Sequence, residues 1–193
     1  MPLMSLLRQL SLPPLLIILP WLMYTPVAQA ADNAKTLFGI ELGSRFAFPV
    51  CAVGEDALTS RHCHNPAQAE KLPWGGEARR VFYPRPQVVP WARGEIIVDV
   101  VDGVIEAIHI NTWGIQSQDS ALEALQKKYG PPSELRSEKL KAQRARLPGK
   151  FAQWNLQDYH IQLDGVTTTI DWGRITLMSP RYRKIVRAHN AGR

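Results

Sequence analysis

The chain has 193 residues, with 23 Lys and Arg against 17 Asp and Glu and a formal net charge of +6. Without residues 1–30, whose pattern is that of a removable segment, 163 remain, enough for one domain with its own core and too few for two of ordinary size. The 22 remaining Lys and Arg against 17 acids, a net +5, draw the surface toward anionic partners.

Met1–Gln9 carries Arg8 as its only charge, Leu10–Leu22 is apolar and broken by Pro13, Pro14 and Pro20, and Ala28-Gln29-Ala30 is a small-residue cleavage site. This is the order of an export signal, and its apolar part is too short to span a bilayer as a stable helix. The expected mature chain, residues 31–193, is a single exported α+β domain without a transmembrane segment, periplasmic or secreted.

Phe38, Ile40 and Leu42 alternate with Leu37, Gly39 and Glu41, which predicts a half-buried strand ending at Gly43. From Ser44 to Gly94 six prolines interrupt the pattern, with one short helix expected after Asn65-Pro66 and a strand over Arg80–Tyr83. Cys51 and Cys63, a lone pair in an exported chain, are expected to close a disulfide that pins this long Pro-rich loop. His62 and His64 flank Cys63 and offer soft ligands to copper or zinc as the alternative, although neighbours on an extended chain point to opposite sides. Trp74 and Trp91, with Phe82 and Tyr83 nearby in sequence, are the candidate binding residues of the loop.

Two β-rich runs, Ile96–Val101 and Val104–Ile110, flank Asp102-Gly103, a type I′ turn signal. A two-residue turn with unbroken register sets Val101 opposite Val104, Val100 opposite Ile105, Asp99 opposite Glu106 and Val98 opposite Ala107. Both faces are apolar enough to place the hairpin near the centre of a sheet. Opposed carboxylates repel unless a metal or a shared proton relieves them, so Asp99 and Glu106 are the candidates for acid–base chemistry, with His109 at the end of the opposite face as a weaker one; the competing account is that both acids point to water or that a bulge shifts the register.

A helix over Ala121–Tyr129 follows, with Ser120 and Glu123 as a capping box, Gly130 at its end and Pro131-Pro132 beyond. Arg136–Pro148 fits neither period and is expected to be a charged strand or loop. Its Lys139, Lys141, Arg144 and Arg146, with Arg181 and Arg183 near the C-terminus, form the candidate surface for anionic lipid or glycan. Trp154 and Leu156, then Tyr159, Ile161 and Leu163 alternating against His160, Gln162 and Asp164, then Ile175–Met178, complete the strands, and Pro180 ends the last of them.

The sum is an α+β fold: a small, mainly antiparallel β-sheet with one firm helix packed on a face. The run Leu122, Leu125, Lys128-Tyr129-Gly130-Pro131 followed by Trp154 and a terminal strand pair resembles the helix-then-sheet halves of small exported bacterial proteins. That resemblance implies an α+β fold and an envelope location and assigns no active site. No phosphate loop, zinc spacing or nucleophile motif stands out, and no cofactor is expected. The functional expectation is a non-catalytic binding module for a protein or an envelope polymer. A metal-dependent or acid–base hydrolase and a basic surface binder are the alternatives, and nucleic acid is the least expected partner.

Overall fold

The computed structural model describes residues 35–52, 61–84, 89–142 and 145–192, with backbone alone between 138 and 147. Residues 1–30 lie outside the described residues.

Thirteen described elements follow in chain order: β1 (Thr36–Leu37), β2 (Ile40–Glu41), β3 (Cys63–His64), β4 (Glu70–Lys71), β5 (Glu77–Phe82), β6 (Ala92–Val101), β7 (Val104–Thr112), α1 (Gln118–Tyr129), β8 (Glu134–Ala142), β9 (Ala145–Asn155), β10 (His160–Asp164), β11 (Gly173–Met178) and α2 (Pro180–Ala191). Short 3₁₀ turns occupy Pro66–Gln68 and Gly114–Gln116. Nine strands form one antiparallel sheet in the order β3-β5-β6-β7-β11-β10-β9-β8, with β4 beside β5, and β1-β2 stand apart as a small hairpin. The β6-β7 hairpin is central, as its two apolar faces require. Asp102 at φ 52° and Gly103 at φ 77° make the tight primed turn that Asp-Gly encodes.

Period-two alternation divides the sheet into two unlike faces. Ile96, Val98, Ile108, Ile110, Ala152, Trp154, Ile161, Leu163, Ile175 and Leu177 project to one side, where they join Ala121, Leu122 and Leu125 of α1 and Leu37, Ile40 and Leu42 in a continuous core. The other side carries Asp99, His109, His160, Gln162 and Thr176. It is too polar to be covered by an ordinary apolar helix, and α2 covers it.

The α+β class and the antiparallel sheet stand, while the sheet is larger than expected and two helices flank it. Pro180 ends β11 but also opens α2, the position where its missing N–H costs nothing. The expected strand through Phe38 is a hairpin, since Phe38 and Gly39 take φ 51° and 74° and reverse the chain. The described residues of Arg136–Pro148 fall in β8 (to Ala142) and β9 (from Ala145), which pair from Glu134↔Gln153 to Ala142↔Ala145. Helix α1 starts three residues earlier than the capping box implies: Ser117 stands at its N-cap, and Ser120 Oγ donates to Ser117 O at 3.0 Å instead of capping. The Pro-rich segment is more ordered than a loop, since β3, β4, β5 and a 3₁₀ turn capped by Asn65 lie within it. Cys51 and Cys63 form the expected disulfide, with Cα atoms 4.9 Å apart.

Candidate functional site

The hairpin register carries the first correction. Asp99 pairs with Ala107 and Val100 with Ile105, so Glu106 is the extra residue of a bulge; Asp99 does not oppose Glu106, and Val98 faces Ile108 instead of Ala107. The bulge separates the two carboxylates without sending either to water, since they are 3% and 5% exposed. Buried charges need donors, and the first turn of α2 supplies most of them. Ser179, the N-cap, accepts from Tyr182 N at 3.0 Å while its hydroxyl donates to Glu106 Oε2. Ser179 N also donates to Glu106 O at 2.9 Å, and Arg181 bridges Glu106 and Asp102. Tyr182 Oη donates to Asp99 Oδ2, which His109 Nε2 approaches at 2.9 Å. Because the carboxylate only accepts, Nε2 is the donor, leaving Nδ1 to Thr176 Oγ1 at 3.2 Å. Burial first, and the Asp99 bond second, push the Tyr182 phenol well above its ordinary range, so it stays protonated as that donor.

Beyond this anchored turn, a groove of about 410 Å³ lies between α2 and the polar sheet face. Its floor is His109, Thr176, Arg174, His160, Gln162 and Gln153, its wall is Tyr182, Arg183, Val186 and Arg187 of α2, and Trp74 stands at one end. Trp74 packs edge-on against Tyr182 and His189 at 5.9 Å from each ring centre. The groove is basic: Arg174, Arg183 and Arg187 line it against Asp164 alone, and Asp164 is already engaged by Gln162 Nε2 at 2.8 Å. His160 is 3% exposed, and its Nδ1 has no hydrogen-bond partner among the described residues. Burial, then Arg183 and Arg187, lower its pKa to about 4, so the ring is neutral near pH 7. Burial and Arg187 also lower the pKa of Arg183. The three arginines and the neutral imidazole give this groove a basic, hydrogen-bonding lining.

The residues singled out from sequence are distributed unevenly around this groove. Trp74 and His109 line it, and Arg183 belongs to its wall. Asp99 lies behind His109, and Glu106 and Arg181 pin the start of α2. Trp91 packs on Phe38 at 5.6 Å between ring centres, and Tyr83, 2% exposed, belongs to the core beside it; Phe82 is half-buried on β5, where its register partner is Cys63. Neither Trp91 nor Tyr83 is offered by an open loop. His62 Nε2 lies 2.8 Å from Phe38 O and His64 Nδ1 3.1 Å from Pro49 O, with the Cys63 sulfur closed in the disulfide. No group of three or more His, Cys, Asp or Glu among the described residues is placed to hold a metal ion. Lys139, Lys141 and Arg146 fall on the β8-β9 strands, where backbone alone is described, and Arg144 lies outside the described residues.

The residues that sequence analysis missed are Arg174, Arg187, Gln153 and Thr176, together with the helix that gathers them. Two signals pointed to that helix: Ser179-Pro180, an N-cap followed by proline, and the spacing of Tyr182, Ile185, Val186 and His189 along one face. Comparison of the chain with protein-family models, with curated proteins and with solved structures gives no match. No helix among the described residues is long and apolar enough to cross a membrane.

Proposed function

We propose that this is a non-catalytic binding module of the bacterial envelope, periplasmic or secreted, whose groove between α2 and the polar sheet face takes an acidic group of a protein or envelope polymer. The observation that carries the proposal is the lining itself: three arginines face one already engaged aspartate around a buried imidazole. Arginine is suited to the task because its planar fork binds carboxylate or phosphate through two bonds at once. The export-signal pattern of residues 1–30 and the Cys51–Cys63 disulfide support the envelope assignment. Calorimetric titration with polyglutamate and with oligogalacturonate tests the site. Binding should weaken as salt rises, and Arg183→Ala with Arg187→Ala should cost at least ~10-fold in affinity. Unaltered affinity in that double variant rejects the groove.

The acid–base alternative on Asp99, Glu106 and His109 has less support. Glu106 is taken up by Ser179 and Arg181, and Asp99 accepts from two neighbours. Turnover of a chromogenic ester that disappears in His109→Gln would restore it.

A further inference from the structure

The end of the central sheet, beyond Arg174, carries a second feature. Trp172 lies two residues before Arg174, ~7 Å along the strand, and Trp113 follows Thr112, whose register partner is Gly173. The Arg93 guanidinium lies between the two indoles, 4.1 Å from the centre of Trp113 and 3.8 Å from that of Trp172, while its Nη1 donates to Asp171 O at 2.8 Å. The backbone fixes this stack from both sides. Gly114, at φ +57°, lies so close to Ile170 O that an added Cβ would sit at 2.1 Å, and Ile115 N donates to that same oxygen at 2.8 Å. Thr167 N holds Trp172 O at 2.7 Å. Arg93 stacks on one side of each indole, yet Trp113 and Trp172 remain 43% and 40% exposed. Two part-exposed aromatics held side by side present a stacking surface of the kind found at binding sites.

We propose that the groove and the Trp113–Arg93–Trp172 stack form one elongated surface for an anionic glycan. This rests on the groove being an anion site and adds the class of polymer. The acidic groups of the glycan pair with Arg174, Arg183 and Arg187. Its hydroxyls meet the Gln153 amide and the amide oxygen of Gln162 on the groove floor. A sugar ring lies flat on the free indole faces. Hydroxyls favour a glycan over an acidic peptide. A primary amide both donates and accepts, and a sugar hydroxyl answers both roles where the side-chain carboxylate of an acidic peptide only accepts. Flat indoles also match the C–H faces of a sugar ring, whereas the groove offers a peptide side chain only Met178 and Val186 as apolar lining outside the aromatics.

Binding of oligogalacturonate, polyglutamate and neutral dextran to the purified chain, followed by calorimetry and tryptophan fluorescence, tests the assignment. Oligogalacturonate should bind tightest of the three and quench the fluorescence. Trp113→Ala with Trp172→Ala should weaken oligogalacturonate on the order of tenfold and leave polyglutamate unchanged. Trp172→Leu, which keeps apolar bulk beside Arg93, should weaken the glycan without lowering the melting temperature, separating lost stacking from lost folding. Equal affinity for glycan and peptide, or no effect of the indole substitutions on the glycan, overturns the glycan assignment while leaving the groove intact. Insensitivity of both ligands to Arg183→Ala with Arg187→Ala removes the groove and the glycan together.

Discussion

His160 is held neutral by burial and by the guanidinium groups of Arg183 and Arg187, with its pKa moved from 6.5 to about 4. The unfolded chain therefore binds a proton that the folded one refuses between those values. Folding stability contributed by the neutral ring is fully present above pH 6.5 and is lost as pH falls toward 4. His160→Gln should flatten that part of the stability–pH profile, measured by thermal melts across the interval. An anion in the groove opposes Arg183 and Arg187, so a saturating ligand should raise the His160 pKa, which ring-proton NMR would follow. Trp154 illustrates the opposite kind of residue: it is 1% exposed, its Nε1 donates to Gly130 O at 2.8 Å, and Trp154→Ala should cost about 3–5 kcal/mol in denaturant unfolding. Trp154 was legible as core because it alternates with strand neighbours. Trp74 was singled out as a recognition candidate by its place among prolines, and it lines the groove. Trp91 carries the same sequence signal, a tryptophan among prolines, but lies against Phe38, a contact made across more than fifty positions of chain that no local pattern encodes.

At the level of elements, α2 depends on its first turn. Ser179 both caps the helix and donates to Glu106, so Ser179→Ala should cost about 1–2 kcal/mol, read as a shift of the denaturation midpoint. Two glycines separate backbone conformation from close approach. Gly103, at φ +77°, has open space where a Cβ would go, so Gly103→Ala should cost about 1 kcal/mol through conformation alone. Gly114 adds a backbone collision, and Gly114→Ala should cost clearly more and distort the tryptophan stack, seen as a change in near-UV circular dichroism. The Asp102-Gly103 turn and the end of α1 at Gly130 were readable because single residue types solve those backbone problems. The bulge at Glu106 was open from sequence only as one of two accounts, since alternation on both sides of it is unbroken and does not choose between the registers. Helix α2 itself was obscured by its charge: Arg181, Arg183, Lys184 and Arg187 look like a solvated tail until the polar face they cover is known.

For the whole molecule, the Cys51–Cys63 bond closes a short loop against β3, and reduction should lower stability by roughly 3 kcal/mol, measured by comparing unfolding with and without reductant. Fold class followed from the order and period of the strands, which are local properties. The groove did not, because its members come from β7, β9, β10, β11 and α2, and their meeting is a property of strand order across the sheet.

The dependence of the two buried acids on one helix has a further outcome. A protease cut between Met178 and Ser179 would remove Arg181, Arg183 and Arg187 together with Ser179 and Tyr182. It would leave Asp99, Glu106 and Asp164 on a bare face with Arg174 as the remaining groove arginine. The same surface would then change sign, from attracting anions to repelling them. A clipped preparation should therefore fail to bind acidic polymers even where its sheet remains folded.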